Sequence, residues 1–290
     1  MMQQQGRPTL AEMCRLTEVS RAAYHRFWDE HAPREQDTEL RAAIQEIALF
    51  DRHYGYRRIH AALQREGWAV NHKRVLRLMR EDNLLSLRHK PFVLTTESAH
   101  GPGIYPNLAS GLSLTGVNQL WVADITYVRL REEFIYVAII LDAFSRRAIG
   151  WAIEKNLQAS LAVHALEQAL RDRPLSTGLI HHSDRGVQYA SAEYVARLQA
   201  EGIRISMSGR GRPWENARAE SFMKTLKAEA VDGRRFRDLQ EARDGLIAFI
   251  EEHYNTRRLH SALGYCSPVE FEEQSRATTT PPVAAEFFQA

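Results

Sequence analysis

Three acidic residues, Asp124, Asp184 and Glu220, are the best candidates in this sequence for chemistry. Asp124 interrupts the apolar stretch Leu120 to Val128, and in an extended chain it shares a face with Leu120, Val122, Thr126 and Val128. An ionised carboxylate buried there is costly unless something compensates it. Fraying of the strand or an arginine partner would answer that as well as a ligand would. Asp184 ends another apolar stretch and precedes Arg185-Gly186, a setting that suits a turn-forming aspartate and also the crevice beyond a strand end. Glu220 has Lys224 and Lys227 at i+4 and i+7; alone, Glu220–Lys224 reads as an ordinary helix pair. Together the three say more. Two aspartates on adjacent strands and a glutamate on a following helix can converge at one sheet edge. Their mutual repulsion is best relieved by divalent cations, and hard oxygen donors suit Mg²⁺ or Mn²⁺. Two such ions about 3.5–4 Å apart clamp the attacking and leaving oxygens of a phosphoryl transfer. Lys224 and Lys227 would then hold backbone phosphates.

The elements that must position these residues can be read from periodicity. Leu120–Val128 is a strand. Phe134–Leu141 is a continuous apolar run, as in a central strand buried on both faces. Arg147–Ile153 is a third strand, Leu179–Ser183 a fourth and Ile203–Met207 a fifth. Helices are expected over Ser160–Arg171, Ser191–Glu201 and Trp214 to about Ala230. Three strands, then helix, strand, helix, strand, helix, make an α/β layer with a mixed five-stranded sheet.

Ahead of the sheet the chain reads as all-helical. Residues near Leu10–Cys14 and Arg21–Trp28 form two short helices, the second capped by Ser20, at the size of a helix-turn-helix. A second helical unit carries Ile59, Ala62 and Leu63, then a helix from Asn71 to about Asn83. Between residues 52 and 90 ten basic residues face three acidic ones, a local excess that points to DNA contact. Residues 91–117, rich in Pro, Gly and Ser, read as a linker. The expected organisation is 1–36 and 37–90 as helical DNA-binding units, 91–117 as linker, 118–275 as catalytic core and 276–290 as a disordered tail.

Composition narrows the class. The chain has 290 residues, 44% of them hydrophobic and 26% charged, so wholesale disorder is not expected. No apolar run reaches membrane-spanning length, and the first residues lack an apolar signal core. A cytoplasmic, nucleoid-associated protein without a membrane partner is expected. Two cysteines make neither a disulfide framework nor a zinc cluster. The net charge is only +2.

The chain resembles the bacterial insertion-sequence transposases with a retroviral-integrase-type core, and among them the second-frame product of the two-frame family. The matching words are Tyr54-Gly55-Tyr56-Arg57-Arg58-Ile59, Asn71-His72-Lys73-Arg74-Val75, Trp121-Val122-Ala123-Asp124-Ile125-Thr126-Tyr127, His182-Ser183-Asp184-Arg185-Gly186-Val187-Gln188-Tyr189, Glu215-Asn216-Ala217-Arg218-Ala219-Glu220-Ser221-Phe222 and Tyr254-Asn255-Thr256-Arg257-Arg258-Leu259-His260. Thirty-five residues separate Asp184 from Glu220, the family's Asp-Asp-35-Glu spacing. Ala123 stands where the family often has Thr, and Glu215 where it often has Asp. The resemblance implies a ribonuclease H-like core and metal ligation by Asp124, Asp184 and Glu220, with two Mg²⁺ or Mn²⁺ ions per site. It implies double-stranded DNA partners (terminal inverted repeats and target), at least a dimer on paired ends, and a possible first-frame partner protein. Phosphate contacts are expected from Arg57, Arg58, Lys73, Arg74, Arg77 and Arg80, and in the core from Arg210, Arg212, Arg218, Lys224 and Lys227. His181, His182 and His260 are expected to be structural, with no Cys or His at ligand spacing. Whether Arg258 and His260 support the fold or touch DNA stays open. A DNA-binding regulator and a nuclease of RNA–DNA hybrids are the alternatives; the acidic triad disfavours the first, the helical units and the spacing the second.

Overall fold

The computed structural model describes residues 9–31, 37–86 and 105–279. The chain divides into two compact units, Met1–Ser86 and Leu87–Ala290.

The first unit is all-helical. Helix α1, Leu10–Leu16, starts from a capping box between Thr9 and Glu12. Helix α2, Arg21–His31, starts after Ser20, whose hydroxyl accepts the Ala23 N–H at 3.1 Å. Three further helices follow: α3 (Thr38–Phe50), α4 (Tyr56–Arg65) and α5 (His72–Glu81). They close over Leu40, Ile44, Ile59, Leu63, Val75, Leu78 and Met79. Asn71 caps α5 as its sequence suggests, accepting the Lys73 N–H at 2.8 Å. Sequence reasoning does not delimit α3, because its apolar residues mark two faces: Leu40 and Ile44 are buried, while Leu49 and Phe50 are exposed.

The second unit is built on a five-stranded sheet of order β3-β2-β1-β4-β5. Its strands are β1 (Leu120–Arg129), β2 (Phe134–Asp142), β3 (Ala148–Glu154), β4 (Ile180–Ser183) and β5 (Arg204–Met207). The first three run antiparallel to one another, and β4 and β5 add parallel to β1. This is the mixed sheet that the strand and helix order predicts. Helices α6 (Ala159–Asp172) and α7 (Ala192–Ala200) pack on the face of Trp121, Ala123 and Ile140. Gly150 permits the approach of α6: a Cβ there would fall 2.2 Å from the Ala165 carbonyl oxygen. Helices α8 (Ala217–Leu226) and α9 (Leu239–Ala248) cover the opposite face, with Leu120, Val122, Ile139, Phe222 and Leu246 in one core.

The expected single helix from Trp214 to Ala230 is in fact three pieces. A 3₁₀ turn spans Pro213–Asn216, α8 follows, and a wider π turn spans Lys227–Val231. The last helix, α10, covers Pro268–Thr279 and so continues past residue 276, where the sequence suggests a tail; residues 280–290 lie outside the described residues. Its Glu272 is buried against Arg173, Ser145 (2.7 Å) and Arg147 (2.9 Å), which fixes the helix to the sheet. Of the expected linker, residues 105–117 are described and form no helix or strand, and residues 91–104 lie outside the described residues.

Candidate active site

Asp124 lies in mid β1, opposite Ile139 of β2. Asp184 is the first residue beyond β4, the parallel neighbour of β1. Glu220 lies in the first turn of α8, the helix packed on the same face as Leu120 and Val122. Strand parity puts Asp124 on that face too.

The carboxylates feel one another. Burial, reinforced by the charges of Asp184 and Glu220, pushes the Asp124 carboxyl up to about 7, against the opposing pull of the Ile125 N–H and Lys227. Burial also pushes Asp184 up, offset by the Gly186 N–H. Each aspartate uses one oxygen locally: Asp124 Oδ1 accepts the Ile125 N–H at 2.8 Å, and Asp184 Oδ1 accepts the Gly186 N–H at 2.9 Å. Their Oδ2 atoms accept no hydrogen bond from the described residues. Glu220 stands 3.7 Å from Lys224. Among the described residues no three His, Cys, Asp or Glu side chains stand close enough to hold an ion. The donor set nevertheless suits a hard divalent cation: Asp124 feels the charges of both Asp184 and Glu220, and each aspartate keeps an open oxygen.

Lys227 is placed at this site by the π turn after α8. Its Nζ lies 4.6 Å from the Tyr127 ring centroid; burial pushes its pKa down, while Asp124 and Asp232 pull it back up. Arg210, Arg212, Arg218 and Lys224 are exposed, and Arg212 reaches Glu215 at 3.3 Å. In the helical unit Arg57, Lys73, Arg74 and Arg80 are exposed, and Arg58 and Arg77 half-buried. Arg57 lies over the Tyr56 ring at 4.9 Å and Arg58 over Tyr54 at 5.6 Å. Arg74 and Arg77 both bind the buried Asp37, each at 2.9 Å. Arg77 also reaches Glu81 at 2.8 Å. These two guanidiniums therefore hold the unit together, a role that periodicity did not reveal because Asp37 lies on another element.

The histidines are structural. His181 Nε2 hydrogen-bonds with the Tyr194 hydroxyl at 2.9 Å, and burial pushes its pKa down to about 3. His182 lies between the hydroxyls of Ser206 (2.8 Å) and Ser208 (3.0 Å). Arg258, left open by the sequence, forms a buried pair with Glu229 at 2.7 Å and so supports the fold. Sequence reasoning missed Asn216. Its Nδ2 donates to the carbonyl oxygen of Ala123 at 2.9 Å, tying the entry of α8 to the residue before Asp124. The only sequence signal was its place in the Glu215-Asn216-Ala217 word.

Known proteins and family models match most of this chain. Two family models described as "Integrase core domain" match residues 115–213 and 201–268, and one described as "HTH-like domain" matches residues 35–92. The chain is 37% identical over 267 residues to the 31 kDa protein of insertion element IS600 from Shigella sonnei, covering 90% of this chain and 98% of that one. It is 34% identical to the transposase InsF of IS3A from Escherichia coli, covering 93% of this chain and 96% of that one. It is 36% identical to the transposase of IS904 from Lactococcus lactis, covering 83% and 97%. Among solved structures, a simian T-cell lymphotropic virus intasome aligns with TM-score 0.46 and 14% identity, over 83% of this chain and 76% of that one. The assignment rests on the sequence matches and on the sheet, a ribonuclease H-like core preceded by helical units. The chain belongs to the IS3-type insertion-sequence transposases, enzymes of the Asp-Asp-Glu polynucleotidyl transferase type with an integrase core.

Proposed function

We propose that this transposase binds the ends of its element, cuts the strand at each 3′ end and joins the freed 3′-hydroxyl to target DNA. The observation that carries this reading is the electrostatic grouping of Asp124, Asp184 and Glu220 in an integrase core. In the first step the oxygen of water bonds to the scissile phosphorus and the bond to the 3′-oxygen breaks, leaving a 3′-hydroxyl and a 5′-phosphate. In the second, that 3′-hydroxyl bonds to a target phosphorus and displaces the target's own 3′-oxygen. Asp124, Asp184 and Glu220 would hold two Mg²⁺ or Mn²⁺ ions. Bound there, the metal supplies a lowered pKa for the attacking hydroxyl and charge neutralisation at the leaving oxygen. Lys227 and Lys224 hold the terminal phosphates, and the exposed Arg210, Arg212 and Arg218 guide the strand in. The helical units grip the terminal repeats through Arg57, Arg58, Lys73 and Arg80. Two ends must meet, so at least two copies act together, with a first-frame partner protein joining the assembly.

The test is a strand-transfer assay with labelled end DNA and Mg²⁺. Joined product is expected from the wild type, and Asp184→Asn is expected to lower it at least 10³-fold while retaining end binding. End binding by the wild type without cutting or joining would favour a regulator, and cleavage confined to RNA–DNA hybrids a nuclease.

A further inference from the structure

We propose that Trp214 is a stacking platform for one unpaired nucleobase at the DNA end being processed. The proposal rests on the transposase reading above and adds a site to it.

Trp214 is 67% exposed, whereas Trp121 is fully buried and Trp68 and Trp151 are half-buried. A lone exposed hydrophobic side chain is ordinary, but an exposed indole offers a large rigid face on which another ring can stack. The loop that carries it is tied down. Glu215 Oε2 accepts the Gly209 N–H at 2.6 Å, and the Arg212 N–H returns to the Gly209 carbonyl at 3.1 Å. Gly211 takes the left-handed conformation that this tight turn requires, with φ +69°. Two residues after Trp214, Asn216 is bonded to the Ala123 carbonyl. The indole is thus exposed between two anchors, six residues before Glu220.

Its surroundings identify the ligand. Arg210, Arg212 and Arg218 are all exposed, so the indole lies in a cationic stretch. An aromatic face among cations is what binds single-stranded nucleic acid: the base stacks and the phosphates pair with the cations. An internal base of a duplex has both faces covered and a terminal pair offers only its outer face, so the ligand that a loop-borne indole takes best is an unpaired base. The loop after β4 adds Val187, 56% exposed and three residues past Asp184. β4 and β5 are parallel neighbours, so both loops leave the same end of the sheet. Each loop thus carries an exposed apolar side chain a few residues from one of the carboxylates, Val187 from Asp184 and Trp214 from Glu220.

The test places 5-iodouracil at the terminal bases of a labelled end duplex and irradiates the complex with full-length protein. A crosslink mapping to Trp214 is expected. In parallel, Trp214→Ala should cut fully paired ends 10- to 100-fold more slowly than wild type. On ends with the terminal bases already mismatched the loss should shrink to a few-fold, and Trp214→Phe should restore most of the rate. Thermal unfolding should stay unchanged, because the side chain is exposed. A wild-type enzyme that cuts ends but crosslinks elsewhere overturns the proposal. So does Trp214→Leu matching Trp214→Phe, which would mark an apolar protein contact instead. If the wild type cuts no DNA at all, the transposase reading fails, and this proposal with it.

Discussion

The Asp124 carboxyl shows how far the site departs from a stable arrangement. Its rise to about 7 means that burial and two like charges oppose its ionised form. That shift sets an upper bound of roughly 4 kcal/mol on the destabilisation at neutral pH, and relaxation of the site brings the realistic figure to about 2. Asp124→Asn removes the charge and keeps the shape. The expected outcome is a protein more stable than wild type by about 1–2 kcal/mol in thermal unfolding without divalent cations, yet with no joined product. A variant that is inactive and also less stable would mean that the carboxylate is compensated by an interaction within the fold. Added Mg²⁺ should raise the wild-type midpoint and leave that of Asp124→Asn nearly unmoved.

The Glu229–Arg258 pair governs how the elements behind the site hold together. Glu229 sits in the π turn that follows α8, and Arg258 follows a second π segment, Phe249–Tyr254. Burial pushes the Glu229 carboxyl up, but His253 and Arg258 outweigh it and hold the pKa at about 2. Lowered in the native state from its ordinary value of 4.5, Glu229 contributes fully above that value. Its contribution fades as pH falls from there towards 2. Its size is on the order of 3 kcal/mol. Urea unfolding of the wild type should therefore lose stability between pH 5 and 3, with Glu229→Gln showing a shallower loss. Equal slopes would show that the pair contributes nothing in this window. This pair also explains what the sequence hid. The stripe Ala219, Phe222, Met223, Leu226 and Ala230 is continuous, so it reads as one helix, whereas the breaks at either end accompany ties to Ala123 and Arg258. The strands were legible because β2 is buried on both faces and β5 alternates, patterns local to each segment. Long-range polar ties leave no such local pattern. The three candidate carboxylates could be named from type and spacing, but not the bond by which Asn216 ties the start of α8 to the strand that carries Asp124.

Across the whole chain a net charge of +2 understates how strongly this protein can meet DNA. Residues 52–90 hold ten basic against three acidic residues, and residues 204–237 nine against four. Even that local count needs correcting by structure, because cations of the helical unit do two different jobs. Arg74 and Arg77 neutralise Asp37, whose carboxyl Arg77 holds below its ordinary range. Lys73 and Arg80 are exposed on the same helix, α5. Substitutions within one helix should therefore separate. Lys73→Ala and Arg80→Ala are each expected to weaken binding to end DNA and unrelated DNA alike, reducing the slope of log affinity against log salt by about 1, with the melting midpoint unchanged. Arg74→Ala and Arg77→Ala leave Asp37 short of a partner, and each is expected to cost about 2 kcal/mol of stability, between the surface and buried limits for ion pairs. Titrations over 50–200 mM salt, beside thermal melts of the same four full-length variants, check the division. A large salt-slope change in Arg74→Ala with no loss of stability would return that residue to the DNA-contact set, and would make Asp37 a brake on DNA binding instead of a structural partner.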